Sequence, residues 1–138
     1  CKSHYNYAAT NFRAAPHRDD PSTPVIAFTG CDIVDGKTFA DASIALEGWS
    51  DYVTEIGSNR GMWVLRRAFG SGDNDADFRW VNTFPDHESL GDDYDRFRKI
   101  GGSKARELFG DVFKCGITTV YNSKTLRNGI EDSLYQLN

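Results

Sequence analysis

The sequence predicts an α+β domain: one antiparallel sheet of four strands with two helices on a single face. Three observations carry this expectation. Apolar residues recur at helical spacing from Phe39 to Ile56. Two β-branched and aromatic runs follow it, separated by a polar turn rich in Gly and Asp. The remaining apolar segments complete the order strand, helix, strand, strand, helix, strand, a split β-α-β pattern.

The first 24 residues, CKSHYNYAATNFRAAPHRDDPSTP, hold three of the four prolines and lack sustained periodicity. They read as an extended N-terminal arm, with Tyr5, Tyr7 and Phe12 as anchors on the chain's own surface or a neighbour's. The domain proper spans residues 25–122. Val25 to Ile33 carries large or β-branched residues on both faces, as a central strand requires. Asp35-Gly36 makes a turn. Phe39, Ala42, Leu46, Trp49, Val53 and Ile56 then form one helical stripe. Thr38 with Asp41 resembles a capping box, and Gly57 supplies the stop.

Met62 to Phe69 and Phe78 to Phe84 read as a hairpin closed by a longer loop. Met62, Val64, Arg66 and Ala68 alternate with Trp63, Leu65, Arg67 and Phe69. Phe78, Trp80, Asn82 and Phe84 alternate with Arg79, Val81 and Thr83, so both faces carry large apolar groups. Pro85 ends the strand, and Asp86 caps a helix with Leu90, Tyr94, Phe97 and Ile100 on one face. Gly101-Gly102 interrupts that helix, and Leu108, Phe109, Val112 and Phe113 continue on a second segment. Ile117 to Tyr121 is the fourth strand, and residues 123–138 form a polar tail with a weak apolar set at Ile130, Leu134 and Leu137.

The composition excludes several functions. At 138 residues, the chain suits one domain with one core. Sixteen basic against twenty acidic residues give a net charge of −4, which argues against nonspecific nucleic-acid binding. No apolar run approaches the roughly 20 residues of a membrane-spanning helix. Nine Phe, six Tyr and three Trp are too many for a disordered chain.

Cysteine at the first position is what bacterial lipoprotein processing leaves, so Cys1 is the candidate for lipidation. Ordinary secretory cleavage, a protease cut and a trimmed chain are the alternatives. Cys31 and Cys115 are either buried thiols or a disulfide closing a loop of about 84 residues. Such a loop contributes roughly 4.5 kcal/mol in the chain-entropy model. No C-x-x-C spacing supports zinc or a thioredoxin-like site.

The element order and spacing, with the segment from Trp80 to Pro85-Asp86 opening the second helix, resemble the dimeric α/β-barrel superfamily. The resemblance covers about residues 25–122 and is nearest to small secreted members of unknown role. It implies a ferredoxin-like domain whose open sheet face packs on a second copy. It also places the start of the last strand beside the later part of the first, which favours pairing Cys31 with Cys115. Cofactor-free monooxygenase activity, with substrate held between sheet and helices, is a further implication. Trp49, Trp80, Asn82, His87 and Tyr94 are the candidate ligand-binding positions around such a pocket, and Trp49 and Trp80 have core filling as their alternative role. Haem degradation, another superfamily activity, would need an axial ligand that only His87 offers within the domain.

Other constellations are weaker. Asp73 to Asp77 begins like a calcium loop but lacks the glycine and the distal glutamate, so no EF-hand forms. Residues 71–95 hold eight acids and one base, and residues 96–114 six bases and two acids, which reads mainly as solvated surface. His4, His17 and His87 have no convergent metal-ligand spacing. No metal or cofactor is expected. Two functions follow: an extracytoplasmic, non-catalytic binding or self-assembling protein, and a monooxygenase-like enzyme or small-ligand carrier using the pocket.

Overall fold

The apolar runs become strands of one antiparallel sheet. A computed structural model describes residues 6–16, 24–69 and 76–124. Its elements are β1 (Asn6–Arg13), β2 (Val25–Ile33), α1 (Phe39–Glu55), β3 (Gly61–Phe69), β4 (Phe78–Phe84), α2 (His87–Arg96), a π-helical turn (Phe97–Gly101), α3 (Gly102–Phe109) and β5 (Phe113–Asn122). The sheet has five strands in the order β1-β3-β4-β2-β5, every neighbouring pair antiparallel. β4 therefore lies between the strands that α1 joins, and β2 between those that α2 and α3 join.

The fifth strand corrects the expected count of four. It comes from the N-terminal arm, where Tyr7 to Thr10 pair with Arg67 to Val64 of β3. Tyr7-Ala8-Ala9-Thr10 has no apolar alternation, so its partner's edge, rather than its own pattern, makes it a strand. Asn6–Arg13 of the arm thus pair with the chain's own sheet. A second correction concerns β5, which begins at Phe113 rather than Ile117, because the helix ends at Phe109 and Gly110.

The helical face of the sheet carries Val25, Ala27, Thr29 and Cys31 of β2 opposite Phe84, Asn82, Trp80 and Phe78 of β4. Met62 and Val64 extend it on β3. Ala42, Ala45, Leu46, Trp49 and Val53 of α1 close over this face together with Ala105 of α3 and Phe113, forming one core. The capping box forms as its sequence indicates: Thr38 N–H donates to Asp41 Oδ2 at 2.7 Å, and Asp41 N–H donates to Thr38 Oγ1 at 3.3 Å. Gly36 and Gly57 both take positive φ, at 81° and 70°, which accounts for the two turns.

Cys31 and Cys115 are register partners on β2 and β5 and form a disulfide. Between that pair and Thr29–Thr118 the register shifts, and Ile117 projects outward with 92% of its surface exposed. No helix among the described residues is long and apolar enough to cross a membrane. Cys1, His4, His17, the loop 70–75 and most of the 123–138 tail lie outside the described residues.

Candidate functional site

Between the sheet and the helices lies a cavity of about 300 Å³. Its sheet side is built from Ala27 and Thr29, Trp80, Asn82 and Phe84, which alternation directs to the helical face, then Cys115 and Thr118 on either side of the β5 register shift. Its helical side is Trp49 of α1, Tyr94 of α2, Phe97 of the π turn, and Ala105 and Phe109 of α3. The rings interlock, Phe109 edge to face with Trp49 and Trp80 and stacked on Phe113. Phe109 lies 5.3 Å from Trp49, 5.4 Å from Trp80 and 5.0 Å from Phe113, centroid to centroid. Such contacts hold aromatic walls in fixed orientations.

The helical arm leaves this space open instead of filling it. A π-helical turn inserts one residue, and each added residue rotates the following helix by about 100°. Tyr94, Phe97 and Ile100, expected as a core stripe, are 49%, 37% and 51% exposed, whereas Ala105 of α3 is buried. At Gly101 a Cβ would crowd the arm's own Phe97 ring at 3.1 Å and stand in ordinary contact, 3.5 Å, with Trp49 Cη2.

Four of the five candidate positions, Trp49, Trp80, Asn82 and Tyr94, line this one cavity. His87 does not. It stands exposed at the start of α2, where its Nε2 is 2.7 Å from Asn122 Oδ1, tying the helix to the end of β5. The sequence reading missed Arg60, which also lines the cavity, and the polar cluster around it. Arg60 Nη2 pairs with Asp93 Oδ2, and Ser58 Oγ–H donates to Asp93 Oδ1 at 2.5 Å. Arg13 braces the cluster by donating to the carbonyls of Ser58 and Arg60 and, at 2.9 Å, to Thr54 Oγ1. Partial burial, then the neighbouring Arg60 charge, lowers the Arg13 pKa. The Arg60 guanidinium lies over the Trp49 and Phe84 rings, at 5.7 and 5.8 Å from their centroids. No spacing rule joins Arg13, Arg60 and Asp93, and Asp93 stands in a run of acids that reads as solvated surface.

Polar atoms in the lining remain without partners: Nε1 of Trp49 and of Trp80, Nε of Arg60 and Oδ1 of Asn82. Among the described residues no three His, Cys, Asp or Glu gather as a metal site. Compared with known protein families, curated proteins and solved structures, the chain matches none.

Proposed function

We propose that the chain is an extracytoplasmic binding protein that holds a small, largely apolar molecule between the sheet and helices of a ferredoxin-like domain. The observation that carries this reading is the aromatic-walled cavity of about 300 Å³ with unpartnered polar atoms in its lining. That volume sits at the lower end of ligand pockets, roughly 300–1,000 Å³. Apolar walls with a few polar groups are the usual makeup of such sites. The ferredoxin-like reading is supported by the strand order β3-β4-β2-β5 and its two split β-α-β units, with β1 an added edge strand. The disulfide supports an oxidising compartment.

The three tryptophans provide the test. Trp49 and Trp80 line the cavity, whereas Trp63 points to the opposite sheet face, where it pairs with Val81. Titration with small aromatic fragments should shift the indole N–H resonances of Trp49 and Trp80 and leave that of Trp63 in place. No shift with any fragment, or a shift confined to Trp63, would overturn the reading. Oxygen uptake on ligand addition would instead move it toward the monooxygenase-like alternative.

The outer sheet face supports a second property, self-association. Phe28, Ile117 and Tyr121 border one hollow there, and Ile117 and Tyr121 are 92% and 54% exposed. Exposed apolar surface of this kind marks interaction sites. Light scattering should show a dimer that Ile117→Lys weakens, and a wild-type monomer at every concentration would refute it.

A further inference from the structure

The charge of the ligand can be argued from the cavity lining, given the binding reading above on which this inference rests. Around Arg60 the fold gathers two guanidinium groups, Arg13 and Arg60, against one carboxylate, Asp93. Arg60 and Asp93 are only 9% and 4% exposed, so their charges are largely withdrawn from water. Arg13, only partly buried, directs its donors at two carbonyls and a hydroxyl, so the one carboxylate of Asp93 faces two guanidinium groups. The unpartnered atoms of the lining show the same bias: three N–H donors, on Trp49, Trp80 and Arg60, against one acceptor on Asn82.

A buried donor without an acceptor costs free energy. A neutral apolar ligand would leave those donors unpaired, and a cationic one would face two guanidinium groups. An anionic ligand suits both. We propose that the cavity takes a small monocarboxylate, its apolar body against Trp49, Trp80 and Phe109 and its carboxylate received by Arg60. A planar guanidinium suits a carboxylate by charge and by hydrogen-bond geometry. The orphan N–H groups are covered by neighbouring atoms, so side-chain rotation accompanies their engagement.

Benzoate and benzyl alcohol share a ring and differ in charge, which makes them the probes. Calorimetric titration of the full, disulfide-bonded chain should show benzoate binding at least about tenfold more tightly, the effect of one charge-assisted hydrogen bond. In the double variant Arg60→Met, Asp93→Leu, which removes both partners of the buried pair together, that preference should vanish. Equal affinities in the wild type, or a preference for the alcohol, would overturn the charge assignment and leave the binding reading intact. A folded wild type that binds neither probe overturns both. The wild-type comparison decides by itself if the double variant does not fold.

Discussion

Asp93 stands between Asp92 and Asp95 in an acidic run, yet it is the one buried residue of α2. Arg60 and Ser58 hold its two carboxylate oxygens. Breaking a buried pair strands a charge, so Asp93→Ala should cost about 3–5 kcal/mol. Lys104→Ala, which removes the exposed pair with Glu107, should cost less than about 1 kcal/mol. Urea denaturation of both variants checks the contrast, and equal midpoints would contradict the buried cluster. Gly61 offers a second residue-scale prediction. A Cβ there would stand 2.8 Å from Ala15 Cα and 2.9 Å from Thr83 Oγ1. Gly61→Ala should therefore push the segment after β1 off the sheet, at about 1–3 kcal/mol, and raise amide exchange in β1 before it does so in β4.

Among the elements, α1 was the most legible, because its signals are local. Thr38, Asp41, Gly57 and the stripe between them all lie within one helix length of one another, and the capping box and stop form where they stand. Thr38→Ala should cost about 1 kcal/mol. The side-chain hydrogen bond from Thr38, then that from its backbone, holds the Asp41 carboxyl below its ordinary value of 3.8. A lowered pKa means that the carboxylate stabilises the fold above 3.8 and loses that effect as pH falls through the lowered value. The stability gap between wild type and Asp41→Asn should therefore be present at pH 7 and close on acidification, measured by denaturation at each pH. The α2 to α3 arm was harder to read. Its apolar spacing assumes 3.6 residues per turn throughout, and the π turn at Phe97–Gly101 breaks that register.

For the whole molecule, the disulfide is the largest single constraint. It joins positions 84 residues apart and fixes edge strand β5 to its neighbour β2. Reduction, or the paired variant Cys31→Ala, Cys115→Ala, should lower stability by up to about 4.5 kcal/mol in the chain-entropy model. An unchanged denaturation midpoint under reductant would remove the disulfide from the stability account. Because Cys115 lines the cavity, the same treatment should also weaken ligand binding.

The linear chain determined what neighbours along it determine: strand against helix, the two turn glycines, both helix caps, and the alternation that turns Trp80 and Asn82 toward the helices. These follow from backbone sterics and from apolar residues repeating with the period of each element. Folding in space decided the rest. Tyr7 to Thr10 became a strand because β3 offered an unpaired edge, and Arg13, Arg60 and Asp93 met because three separate elements converge. The cavity lies beside a π turn that breaks the helical register the apolar spacing describes. Partners supplied by distant segments leave no periodic trace, and a space between elements is a property of no residue alone.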